Sequence, residues 1–141
     1  MEIILLVVGE TQESYVKEGL AHFIPRIQRY GKFSIQAVNH RDKQAEFLRS
    51  GDLLVLLDER GKSYTSNGFA KQFQKWMNQG PKRLVFAVGD AYGFSDALRA
   101  QSQGELALGA MTFPHDLIRL LFAEQLYRAW TILNNEPYHH R

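Results

Sequence analysis

Four segments of this 141-residue chain combine residue types that could do chemistry: Asp58-Glu59-Arg60-Gly61-Lys62, Gly89-Asp90-Ala91-Tyr92-Gly93, Leu108-Gly109-Ala110-Met111-Thr112-Phe113 and the terminal Pro137-Tyr138-His139-His140-Arg141. None is a complete catalytic set. Asp58 and Glu59 are adjacent, so their side chains diverge rather than share a proton. His139 and His140 sit on a tail and no metal is expected there. The chain contains no cysteine, which removes thiolate nucleophiles, thiolate metal sites and disulfides. Gly89-x-x-x-Gly93 is neither the dinucleotide fingerprint nor a phosphate loop with its lysine. Glycine-bearing loops without an acid–base constellation favour a reaction whose difficult chemistry belongs to a cofactor.

The elements that must position these segments alternate between apolar runs and stretches of helical period. That alternation predicts an α/β domain with a mostly parallel sheet and helices on both faces, one domain over residues 1–141. Strands are expected at Glu2–Val8, Phe33–Val38, Leu53–Leu57, Arg83–Val88 and Glu105–Leu108. Asp58–Ser66 reads as a polar loop. A first helix should reach about Arg29, and Pro25 within it should kink or split it. Ser95 is placed to cap a short helix, with Asp96 at its positive end. In open sheets of this kind ligands bind beyond the carboxyl ends of the strands. Three loops therefore qualify, after Leu57, Val88 and Leu108.

Hydrophobic residues make up 45% of the chain, charged residues 23%, and the net charge is +2. That balance excludes neither a small-molecule enzyme nor a nucleic-acid partner. Arg60, Lys62, Lys71, Lys75, Lys82 and Arg83 nevertheless cluster in the middle, where a local field can attract phosphate. The N-terminal run begins with an acid and stops at Gly9, unlike a signal peptide. No run approaches the ~20 apolar residues of a membrane span, and a cytoplasmic location is expected. A long final helix, about Pro114–Asn134, is apolar over most of its circumference, with Asp116, Arg119, Glu124, Arg128 and Thr131 near one polar stripe. It needs two neighbours; the sheet supplies one, and a second subunit of a homodimer, or the chain itself, the other.

Five blocks in order resemble a known family: Leu57-Asp58-Glu59-Arg60-Gly61-Lys62, Val88-Gly89-x-x-x-Gly93-Phe94-Ser95, Met111-Thr112-Phe113-Pro114-His115-x-Leu117-x-Arg119, Ala123-Glu124-Gln125-Leu126-Tyr127-Arg128-Ala129-Trp130 and Pro137-Tyr138-His139. Together they resemble the ribosomal RNA large subunit methyltransferase H family of the SPOUT superfamily, over nearly the whole chain and most densely from Leu57 onward. The resemblance implies a SPOUT α/β fold with a C-terminal deep trefoil knot and a homodimer with its active site near the subunit interface. It further implies S-adenosylmethionine as cofactor, and methylation of N3 of a pseudouridine in 23S ribosomal RNA on the assembled ribosome. Carried over by position, cofactor contacts fall on Leu57, Gly89, Leu108, Gly109, Ala110, Met111, Thr112 and Phe113. RNA contacts fall on Tyr138, His139, Arg141 and Arg119, and catalytic assistance on His139, Arg128 and Arg141. The chain departs from the family in carrying Asp90 where a second glycine is common, Gly109 where serine is frequent, His140 in a usually basic position, and a short segment between Val38 and Asp52. A non-catalytic ribosome-associated factor and a transfer-RNA methyltransferase of the same fold are the alternatives.

Overall fold

A computed structural model describes residues 1–140. In chain order the elements are β1 (Glu2–Val8), α1 (Ser14–Gln28), β2 (Lys32–Val38), α2 (Lys43–Phe47), β3 (Asp52–Ser63), α3 (Ser66–Asn78), β4 (Arg83–Val88), α4 (Asp96–Arg99), β5 (Gly104–Ala107) and α5 (His115–Leu133). All strand pairs are parallel, in the order β2-β1-β4-β3-β5. β4 is buried along its whole length, as expected of a central strand covered on both faces.

The two faces are unequal. Odd-numbered residues of β1 and β3 and even-numbered residues of β4 point to α1, α3 and α5, where Val16, Phe73, Phe86, Phe122 and Leu126 form the larger core. Ile4, Leu6, Leu54, Leu56, Val85 and Ala87 point the other way and are covered by Leu98 and Phe94, with Phe47 and Leu48 at the margin. α5 lies across the larger core between α1 and α3. It approaches α1 so closely that a Cβ on Gly19 would stand 2.5 Å from Leu120 Cδ1. Much of the apolar circumference of α5 thus finds neighbours in its own chain, while Leu120 and Leu121 also line an apolar groove of about 540 Å³ shared with Phe23, Tyr64 and Phe69.

Three expectations are corrected. The polar segment after Leu57 is not a free loop: β3 runs to Ser63, and Leu57 and Lys62 both face Leu106 across a register shift. Backbone pairing to β5 at Leu57 and again at Lys62 and Ser63 anchors both ends of this stretch, and residues 58–61 bulge between them. Of the kink or split expected at Pro25, the split is absent: α1 is one helix from Ser14 to Gln28 with Pro25 in its last turn. The polar residues of α5 do not share a solvated stripe, because Arg119 and Thr131 are buried.

At the N-terminal end of the strands, Arg83 and Asp52 are register partners joined by two bonds, Nε to Oδ1 at 2.8 Å and Nη2 to Oδ2 at 2.6 Å. Burial would raise the Asp52 carboxyl, but the Arg83 guanidinium holds it below the usual range. Opposite this locked end, the carboxyl ends of β3, β4 and β5 open onto the cavity described next.

Candidate cofactor site

The three strand-end loops converge on one cavity of about 290 Å³, near the lower end of the ~300–1,000 Å³ typical of small-molecule sites. Leu57, Val88, Leu106, Leu108 and Ile118 supply apolar wall, and Asp58, Glu59, Arg60, Asp90 and Arg99 supply polar edge.

The loop after β4 is a tight turn. The Gly93 amide donates to the Asp90 carbonyl at 3.0 Å, and Asp90 Oδ1 accepts the Tyr92 amide at 2.8 Å. Gly93 has φ of +85°, and a Cβ on Gly89 would meet the Gly93 carbonyl oxygen at 2.7 Å. Asp90, a departure from the family pattern, is therefore a structural residue whose side chain closes the turn. Beneath the turn, Gln44 Nε2 donates to Val88 O at 2.9 Å and Leu6 O at 3.3 Å, tying the ends of β4 and β1.

The bulged stretch of β3 after Leu57 is organised by Asp58. Burial would raise this carboxyl, but hydrogen bonds from Arg60 and Arg99 bring it from 3.8 down to about 2. Arg99 also reaches Glu105 at 3.0 Å, so the guanidinium spans β3 and β5. The third loop is fastened across the cavity mouth by Thr112 Oγ1, which donates to Glu59 Oε2 at 2.6 Å. Pro114 occupies the N-cap position of α5 with no side-chain bond, which leaves the Thr112 hydroxyl to Glu59.

Of the eight positions expected to touch cofactor, Leu57, Gly89, Leu108, Gly109, Met111, Thr112 and Phe113 line the cavity, and Ala110 does not. A Cβ on Gly109 would make ordinary contact with the Phe113 ring, so glycine there is not sterically required. The sequence reading missed Asp58, Glu59, Arg99 and Ile118 as lining residues; the strand-end rule that selected the loops would have found the first two.

Arg119 is corrected as an RNA contact. It is 3% exposed and donates from Nη2 to Val8 O and from Nη1 to Thr11 Oγ1, both at 3.0 Å. Burial lowers its pKa, opposed by Asp116 and Glu10. One turn earlier, Asp116 Oδ2 accepts the Gln12 and Glu13 amides at 2.8 and 2.6 Å. The start of α5 is thereby clamped to the loop between β1 and α1, directly behind the cavity-lining turn.

The tail is docked on α5. Glu124 Oε2 accepts Arg128 Nη2 at 2.7 Å, Arg128 Nε at 3.1 Å and the Tyr138 hydroxyl at 2.8 Å. Burial and then the Glu124 bond push the Tyr138 hydroxyl up to about 12. Arg128 Nη1 lies 2.9 Å from His139 Nδ1. A guanidinium only donates, so Nδ1 accepts and the ring proton belongs on Nε2. Arg128 thus pairs with Glu124 one helical turn earlier, and His139 is added to the pair. Arg141 lies outside the described residues. Arg128 is ten residues beyond Ile118 of the cavity wall, about 15 Å along a helix rising 1.5 Å per residue. One chain therefore does not bring its tail cluster and its cavity together. Among the described residues, no group of three His, Asp or Glu is placed to hold a metal, and no helix is long and apolar enough to cross a membrane.

Comparison with known proteins agrees with this arrangement. A family model described as "Predicted SPOUT methyltransferase" matches residues 1–139. A protein of Parabacteroides distasonis named ribosomal RNA large subunit methyltransferase H is 42% identical, with 99% of each chain covered. One of the same name from Geobacter sp. is 43% identical, again with 99% of each covered. Among solved structures, a probable methylase family protein from Haemophilus influenzae superposes with a TM-score of 0.56 at 11% identity, over 99% of this chain and 70% of that one; it speaks for the fold alone. With the strand-end cavity, the full-length family match and relatives above 40% identity in hand, the chain belongs to the SPOUT methyltransferase family.

Proposed function

We propose that this chain methylates large-subunit ribosomal RNA at N3 of a pseudouridine, on the assembled ribosome in the cytoplasm, as a homodimer with S-adenosylmethionine as cofactor. The observation that carries the reading is the convergence of the three strand-end loops on one cavity in a chain 42% identical to a relative named for that reaction class.

The residues fit the cofactor. Leu57, Val88, Leu108 and Phe113 offer apolar wall to an adenine, and the surrounding turns offer backbone donors and acceptors. Glu59 and Asp90 stand at the polar edge, suited to ribose hydroxyls and to a cationic amino-acid moiety. When bound, the cofactor supplies an electrophilic methyl group. The chain's part is to hold the ring system rigidly between turns, to orient the acceptor nitrogen, and to exclude water. The imino proton of a uracil-type base is weakly acidic, so modest assistance suffices.

Arg128 from α5 and His139 from the tail assist, Arg141 is a third assisting residue, and Tyr138 contacts RNA. The separation of Arg128 from Ile118 in the cavity wall of its own chain, about 15 Å along the helix, favours action at the partner's cavity. The apolar groove beside Leu120 and Leu121 supports a second copy as its occupant. The knotted C-terminal threading belongs to the same reading. A monomer's mass by light scattering at micromolar concentration would remove the dimer.

The test is methyl transfer from labelled S-adenosylmethionine to ribosomes lacking the modification, followed by digestion to nucleosides. Label in methylated pseudouridine of large-subunit RNA is the expected result. Cofactor binding without label would redirect the search to another RNA, and loss of both would leave a non-catalytic factor. His139→Ala should lower turnover and leave cofactor affinity intact.

A further inference from the structure

We propose that Tyr92 is a stacking platform at the lip of the cofactor cavity, on which an unstacked base of a single-stranded RNA segment rests during methyl transfer. The proposal rests on the RNA-methylating reading above and adds a substrate-positioning residue to it.

Exposed apolar side chains are scarce in this molecule, and the two most exposed coincide with the site. Among the described residues the large hydrophobics left open are Met1, Tyr15, Tyr92 and Met111, and Tyr92 at 85% and Met111 at 77% lead them. Tyr92 tips the turn after β4 and Met111 tips the turn after β5, the two turns that wall the cavity. Gly89, Asp90, Ala91, Gly93 and Phe94 line the cavity and Tyr92 does not, so its ring stands at the rim. Tyr30, Tyr127 and Tyr138 are all engaged in ring contacts. The Tyr92 ring and hydroxyl have no partner among the described residues.

The backbone under that ring is heavily constrained. Asp90 accepts the Tyr92 amide, and Arg41 Nη1 donates to the Tyr92 carbonyl at 3.1 Å. The positive φ of Gly93 closes the turn on the other side. A fixed backbone presenting a free aromatic face gives stacking at little cost in ordering. One guanidinium, that of Arg41, is held next to it by that carbonyl bond, and Arg60, paired with Asp58, lines the same cavity with a side chain 74% exposed. An open aromatic face at the rim of a cavity with arginine at its edge matches single-stranded nucleic acid, whose bases stack and whose phosphates are anionic. A base that accepts a methyl group on a ring nitrogen must leave its helical stack to reach a cavity, and the lost stacking has to be replaced. Tyr92 replaces it for the target base or its neighbour.

The experiment compares wild type, Tyr92→Ala and Tyr92→Phe on ribosomes lacking the modification, with cofactor affinity and molecular mass measured on the same preparations. Tyr92→Ala should raise KM for the RNA substrate about 5- to 150-fold, the range for loss of one base–aromatic stack, with cofactor Kd and mass unchanged. Tyr92→Phe, which keeps the ring, should recover most of that loss. An unchanged KM in Tyr92→Ala overturns the proposal while wild-type turnover leaves the functional reading standing. A Phe variant as impaired as the Ala variant assigns the effect to the hydroxyl and overturns stacking. A fall in mass in Tyr92→Ala makes the residue a subunit contact and also overturns it. A wild-type protein that binds cofactor and methylates no RNA removes the functional reading itself, and the proposal with it.

Discussion

The two ends of the sheet treat charge in opposite ways. At the N-terminal end, Asp52 and Arg83 are 4% and 8% exposed and hold each other through two bonds, with the Arg49 amide and the Phe47 carbonyl as their further partners. At the C-terminal end Asp58 is nearly as buried, at 10%, but its partners Arg60 and Arg99 are 74% and 32% exposed. Two dry charges can only hold each other. A shielded carboxylate with wet cations can be approached, and its cations can turn to another anion. The closed end serves stability, while the open end leaves its groups available for ligand.

The sharpest break of this contrast is Asp52→Ala. It strands a buried guanidinium and should cost about 3–5 kcal/mol, read as a fall in Tm of the order of 10 °C, with the cofactor Kd of the folded protein unchanged. Gly89→Ala should do the reverse. Its Cβ would force the Gly93 carbonyl away, so calorimetry should show cofactor affinity down by the equivalent of about 1–3 kcal/mol, with Tm lowered by less than in Asp52→Ala. Thr112→Val removes the bond to Glu59 that closes the cavity mouth. Loss of one such bond is worth about 0.5–1.5 kcal/mol, so cofactor binding should weaken by at most about tenfold. The smallest effect is the acid limb. Asp58 titrates below its usual 3.8, near 2, so its contribution is complete above about pH 4 and disappears as pH falls towards 2. Asp58→Asn should flatten the Tm–pH curve in that window alone.

Legibility in the sequence followed the same division. β1 and β4 were bounded correctly because a strand buried on both faces is an uninterrupted apolar run. The far half of β3 was misread because its Asp-Glu-Arg-Gly-Lys-Ser side chains are those of a loop; edge pairing depends on backbone groups that side-chain polarity does not report. The three site loops were legible from the strand-end rule, but the Glu59–Thr112 bond was not, since it joins residues 53 apart. Arg119 was misplaced for a related reason: its carbonyl partner Val8 is 111 residues away, and an arginine on a helix gives no local sign of such a partner.

The Asp116 clamp has a kinetic consequence. Gln12 and Glu13, which lead into α1, donate their amides to a carboxylate 104 and 103 positions later, so the entry to the earliest helix synthesised is completed by the last. While the chain emerges from the ribosome, Gln12 and Glu13 must wait for α5. Formation of that contact closes a loop spanning most of the protein, an entropic cost met before the contact gives any return. Folding of this chain should accordingly show its dominant barrier at the docking of α5, and truncations before His115 should populate a collapsed sheet whose first helix frays from its N-terminus.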